Sequence, residues 1–498
     1  MYLFQFNYDT DLGLAFHSLG NYPKAIELCD KAVSIARVFG YVPLEGMACA
    51  NMGFAFVYMG KHGEAIDALE QALTLLAGWS ELYANLADAY QHQGNFARSI
   101  ELNSKVLDLS QELGDKQEEL AAYENIGTCH GAMQDHTSCI AAFERAYDIA
   151  KDLNDPSCEI RALSALGLSL FSAGKSIDAI RYYEQALALT QSEGDKKKEV
   201  EALWFLGHIF NSLGQFGRSI QVQHQIIQIS QKLKDMSAEA RAFGSLGVAH
   251  RSLGQLDIAI EYLTQCKIIA VAQGDARMVG VANCNLGNAY NSTGDHSKAK
   301  QMIEESILIA RSVDDRPGEG RAWMSLGETC LHLHEYLQSI KMFEKAVPIC
   351  MALHDEIGEA AIKMQLGASL MYIAINAEAG SEERILSAER ARETFLQVKA
   401  IADGNPHAAV QSVKIQVYLE LSKLSYLQKR EQEAIDYLEE HLSIVVGLGR
   451  ALCAGCGQVR GDELMLTCSK CKVARYCNKV IYQPLFTLLR AIADLCLR

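Results

Sequence analysis

The sequence is short of several things, and each shortage removes a class of protein. No stretch approaches the roughly 18 consecutive apolar residues that a membrane-spanning helix requires. Seven prolines and 8% aromatic residues do not suit a collagen-like, proline-rich or disordered chain. Cations are outnumbered, with 46 Lys and Arg against 61 Asp and Glu and a formal net charge of −15. Affinity for phosphate backbones rests on clustered Lys and Arg, so this balance argues against a nucleic-acid binder; solubility is the simpler account. The opening MYLFQFNYDTDLG lacks the basic segment and apolar run of a secretory signal. Of the fifteen cysteines, nine (Cys29 to Cys350) are scattered at apolar helical positions and six follow residue 450. The scattered ones lack disulfide-framework spacing and read as small buried hydrophobes in a reducing compartment, so a cytoplasmic chain is expected.

What the chain does have is a repeat. At 498 residues it is long for one core unless it grows in one dimension. The pairs Leu166-Gly167, Leu206-Gly207, Leu246-Gly247, Leu286-Gly287, Leu326-Gly327 and Leu366-Gly367 recur every 40 residues. The register extends back through Ile126-Gly127, Leu86-Ala87, Met52-Gly53 and Leu12-Gly13, with one shorter step. A second glycine (Gly174, Gly214, Gly254, Gly294), a small residue (Ala179, Ser219, Ala259, Ala299) and a closing aspartate (Asp155, Asp195, Asp235, Asp275) keep the same phase. In residues 164–195, Leu166, Leu170 and Phe171 form one helical stripe and Ile180, Tyr183 and Leu187 another. Gly174 between them suits a tight turn, and Gly167 with Ala179 suits a close helix crossing. Each unit is therefore a helical hairpin, stopped by glycine and capped by aspartate, that must stack on its neighbours to bury both faces.

These columns resemble the tetratricopeptide repeat (TPR), and the 40-residue length with phrases such as NLGNAYNSTGDHSKA resembles the Pins/LGN class of adaptors. The resemblance implies an all-α fold, a solenoid of helical hairpins wound as a right-handed superhelix. The expected organisation is an array of about nine to ten repeats over residues 1–375, then divergent helical repeats over 376–450, where NAEAGSEERI interrupts the pattern.

Such arrays line a concave groove with the first helix of each hairpin. Five residues before the leucine of each Leu-Gly pair stand Arg161, Glu201, Arg241, Val281 and Arg321. Two after it stand His208 and Asn288, and five after it Asn211, Arg251 and Asn291. Arginine forks match carboxylates and amides bond an extended backbone, so the resemblance implies a protein partner offering an extended, acidic segment. The bland alternative leaves the arginines solvated or paired with Glu159, Glu239 and Glu319, two residues earlier, a spacing that does not face on a helix. The lysine of a chaperone-type clamp is missing, because Cys284 precedes Asn288 and Trp204 precedes His208. No enzyme motif holds: Ala173-Gly174-Lys175-Ser176 is an interhelix turn without a P-loop's first glycine, and the histidines are not at metal spacing. No catalytic residues and no small-molecule substrate are expected.

Residues 451–480 are a separate module. Cys453-x2-Cys456-x11-Cys468-x2-Cys471-x5-Cys477, with Tyr476 before the last, resembles a MYND-type zinc finger. That family holds two zinc ions with eight interleaved ligands. The resemblance assigns Cys453, Cys456 and Cys477 to the first site and Cys468 and Cys471 to the second. The sixth cysteine is replaced by Ile481, no histidine follows, and the only later cysteine is Cys496. Residues 481–498 form an apolar tail without a family feature. The break reads as a truncated or mis-joined frame, or as a degenerate finger completed by Cys496 or water. A RING would need a histidine between Cys453 and Cys477, and a MYND methyltransferase would need a SET domain. The expected function is an interaction scaffold with a second, MYND-like docking module; the alternative is a non-catalytic or structural subunit of a ubiquitin-ligase or methyltransferase complex.

Overall fold

A computed structural model describes residues 12–444, except residues 77, 379, 405–407, 431 and 442–443. The cysteine module (Cys453, Cys456, Cys468, Cys471, Cys477) and the tail therefore lie outside the described residues. Among the described residues every regular element is an α-helix. Helices follow one another from Tyr22–Phe39 to Ala408–Leu427 in short-turned antiparallel pairs. The chain divides into two compact units, Met1–Gln255 and Leu256–Arg498.

The repeat columns account for the helix ends. Pro156–Ser172 and Ser176–Glu193 form one hairpin of the first unit. Gly194 closes the second helix at φ 74°, a left-handed conformation that costs glycine little. Asp195 then caps Lys196–Ser212, its carboxylate accepting from the backbone N–H groups of Lys197 and Lys198. A further tie crosses the same turn: Gln191 Nε2 donates to Glu199 Oε1 at 3.1 Å, and Lys196 Nζ meets Glu199 Oε2 at 2.5 Å. In the second unit Arg311 and Arg316 hold Glu319 in the same way, at 2.7 and 3.5 Å.

Leu166, Leu206 and Leu246 in the first unit, and Leu286 and Leu326 in the second, are buried. Each such leucine contributes about 1.5–3 kcal/mol relative to exposure. The glycine after each leucine marks a close crossing. A Cβ at Gly327 would stand 2.6 Å from Phe343 Cε1, and one at Gly167 2.7 Å from Tyr183 Cε2. Ser219 of the small-residue column donates to the Gly207 carbonyl at 3.1 Å, so both helices of that hairpin meet at backbone range. First helices of successive hairpins also touch, Lys196–Ser212 with Met236–Ser252 and Ala276–Thr293 with Arg316–His332. Their outward faces are thereby brought side by side. After Glu356–Asn376 the hairpin turn lengthens and the next helix is Glu382–Gly404.

Candidate functional site: the face of the first helices

In the first unit, side chains five before, two before, two after and five after the repeat leucine meet across hairpins. Arg161 Nε donates to Glu124 Oε1 of the preceding hairpin at 2.8 Å. The guanidinium of Arg241 lies over the Trp204 ring, 5.8 Å from its centroid. His208 stacks on Trp204 at 5.8 Å and meets the edge of Phe171 at 5.6 Å. These contacts place all four columns on one face, since positions three and four apart share a helix side.

The predicted arginines differ in what they already hold. Arg161 is engaged by Glu124, and the Glu159 pairing is not made. Arg241 is exposed and Arg251 half-buried; neither makes an ion pair among the described residues. Asn211 is half-buried, and its Oδ1 is shut from solvent without a hydrogen-bond partner in the described structure.

His208 keeps one side open, but the packed rings withdraw it from water, and this desolvation holds its pKa below the ordinary value. Burial favours the neutral imidazole, so the stability it supports is present above the unfolded value of about 6.5 and is lost as pH falls through the lower folded value. An NMR titration is expected to place His208 below that ordinary value, and Trp204→Ala to move it back up. A midpoint unchanged by Trp204→Ala would overturn the assignment.

In the second unit, Val281, Cys284, Asn288, Arg321 and Met324 line one recess of about 100 Å³ between successive first helices. Asn288 is half-buried, with Oδ1 shut from solvent and unpartnered. Arg321 is exposed and makes no ion pair among the described residues. Asn291 differs: its Nδ2 donates to Thr329 Oγ1 at 2.7 Å and its Oδ1 accepts from His296 Nδ1 at 3.2 Å. Both ends of that amide tie the array together. The structure thus brings Asn288 and Arg321 into one site and gives Asn291 a structural partner.

Trp204, Phe171 and Glu124 were not among the sequence-derived site residues, although two of them stand in one column, two before the repeat leucine. Including that column would have found Trp204, Cys284 and Met324. Buried thiols elsewhere are held protonated: desolvation raises Cys29, Cys49, Cys330 and Cys350 to about 11. Among the described residues no group of three or more His, Cys, Asp or Glu could hold a metal ion. No helix among them is long and apolar enough to cross a membrane.

A tetratricopeptide repeat model matches residues 5–77, 80–152, 118–192 and 278–352, together more than half the chain. Two further tetratricopeptide repeat models match residues 164–232 and 240–267. No curated protein matches the chain. Among solved structures it is similar to BtubC (BKLC) from P. vanneervenii, at 20% identity and TM-score 0.40, over 44% of this chain and 92% of that one. It is also similar to a Rap protein complexed with competence and sporulation factor, at 12% identity and TM-score 0.48, over 74% and 99%. Aspartyl phosphate phosphatase F from Bacillus subtilis matches at 16% identity and TM-score 0.42, over 57% and 75%. At these scores the likenesses carry no functional argument.

Proposed function

Because the chain belongs to the tetratricopeptide repeat family, we propose that it is a protein-interaction scaffold whose first-helix face receives extended acidic segments of partner proteins. One observation carries this reading: Arg321, which makes no ion pair among the described residues, and Asn288, whose side-chain carbonyl oxygen is buried and unpartnered among them, share a single recess. A guanidinium fork takes a Glu or Asp side chain, while an amide bonds the peptide backbone beside it. An unmet polar atom costs about 1–3 kcal/mol, which a bound backbone group recovers. In the first unit Arg241 offers the same charge over the Trp204 ring, where an apolar side chain of the segment packs, and Arg251 offers a second charge further along the same helix.

The test is a panel of extended peptides of one sequence frame carrying Glu, Gln or Lys at a scanned position, titrated against the full-length protein by fluorescence anisotropy. The Glu series is expected to bind best, and more weakly as salt rises. Equal affinity across the three series would sink the proposal.

The repeat signature and the Pins/LGN-like phrases support an adaptor role, and the MYND-like segment supports a second docking module. For that segment the reading is that Cys453, Cys456 and Cys477 bind one zinc ion weakly, while Cys468 and Cys471 alone do not hold a second. Structural zinc sites take four ligands, and neither set reaches four. Metal analysis of the purified chain is expected to find less than one zinc per molecule; two tightly held ions would overturn this. A cytoplasmic location is supported by the scatter of nine cysteines along the repeat helices, eight of them buried as small hydrophobes.

A further inference from the structure

The regular hairpin geometry changes at the edge of the second unit, away from the first-helix face. From Arg316 to Tyr336 a second helix begins 20 residues after the first, whereas from Glu356 to Glu382 the interval is 26. The longer turn leaves a recess of about 500 Å³ lined by His334, Tyr336, Leu337, Ile373 and Glu383, among others. Tyr336 and Tyr372 stack at 5.3 Å and form a ring wall beside it. Its surroundings are apolar and open: Leu337 is 66% exposed and Tyr372 46%, and Leu386, on the same helix side as Glu383, is 56% exposed. An exposed apolar patch rimmed by polar residues is the usual mark of an interaction site.

The rim is also acidic. Glu378, Glu382 and Glu383 are exposed, and none carries an ion pair among the described residues. Glu335 is already turned to Lys300 at 3.5 Å, and Arg384 is the neighbouring cation. The fitting occupant is therefore apolar and basic. Residues 465–493 of the same chain contain no Asp or Glu and carry Lys470, Lys472, Arg475, Lys479 and Arg490. Leu485, Phe486, Leu488 and Leu489 stand among them.

We propose that residues 470–490 dock on this recess within the same molecule, the apolar side chains against Leu337, Tyr372 and Leu386 and the cations toward Glu378, Glu382 and Glu383. The 25 residues between Ile444 and Lys470 span up to roughly 85 Å when extended, so reach does not limit the contact. Tethering supplies an effective concentration of about millimolar, enough for a modest patch to be occupied. The proposal is independent of the first-helix reading, since it uses none of those residues.

The test is zero-length carbodiimide cross-linking of the full-length protein, with the joined residues mapped by mass spectrometry. Amide bonds from Lys470, Lys472 or Lys479 to Glu378, Glu382 or Glu383 are expected within single molecules, at a yield independent of protein concentration. Leu337→Asp with Leu386→Asp, both at exposed positions, is expected to cut that yield at least about fivefold, as is Arg475→Glu with Arg490→Glu. Unchanged helix content by circular dichroism shows that the variants fold. Cross-links scattered over other carboxylates, or a yield indifferent to the variants, would overturn the proposal. So would links formed only between two chains and rising with concentration, which would make a second copy the occupant.

Discussion

In the Phe343→Ala protein the second unit is expected to lose about 3–5 kcal/mol of stability, the usual cost of deleting a buried phenylalanine. Phe343 is 0% exposed and packs with Trp323, Leu326, Ala346 and Ile362. Its ring lies so close to Gly327 that a Cβ there would sit 2.6 Å from Cε1. Gly327→Ala alone is expected to cost about 1–3 kcal/mol, because the ring must shift in a filled space. The two changes combined should cost less than their sum, since the new methyl enters room the ring has vacated. Urea denaturation followed by circular dichroism reads all three. Leu308→Ala, at a 67% exposed position, is the control and should stay within about 0.5 kcal/mol. Strict additivity of the pair would show that Phe343 and Gly327 do not share one packing site.

Charge reversal on the first-helix face is the second large effect. Arg321→Glu is expected to weaken binding of the acidic peptides by about 2–5 kcal/mol, the range for losing one side of a desolvated charge pair. Stability should hardly change, because the Arg321 side chain is exposed and without an ion pair among the described residues. Arg241→Glu tests the first unit in the same way, with the added loss of the cation over Trp204. Arg161→Glu is a different experiment: it replaces the partner of Glu124 by a like charge and should disturb the contact between hairpins. Lys341→Glu, on the second helix Tyr336–Ala352, should leave affinity unaltered. If Lys341→Glu abolishes binding while Arg241→Glu and Arg321→Glu do nothing, the first-helix face is not the receptor.

The sequence by itself determined the hairpins. A 40-residue period repeats the same local chemistry, and helix stripes, glycine stops and aspartate caps act over only a few residues. Asp195 capping its own helix and Gly194 ending the one before it are contacts between near neighbours, legible without a fold. Only the tertiary structure decided what each face residue meets. Arg161 joins Glu124, 37 positions away, and Asn291 joins Thr329, 38 away. Such contacts depend on the rotation and offset of two packed helices, which periodicity leaves open. The partner of the crossing glycine was equally hidden: it is Phe143 at Gly127, Tyr183 at Gly167, Gln223 at Gly207, Ile303 at Gly287 and Phe343 at Gly327. That column keeps its place but not its residue type, because what the crossing requires is volume beside a missing Cβ, and several side chains supply it.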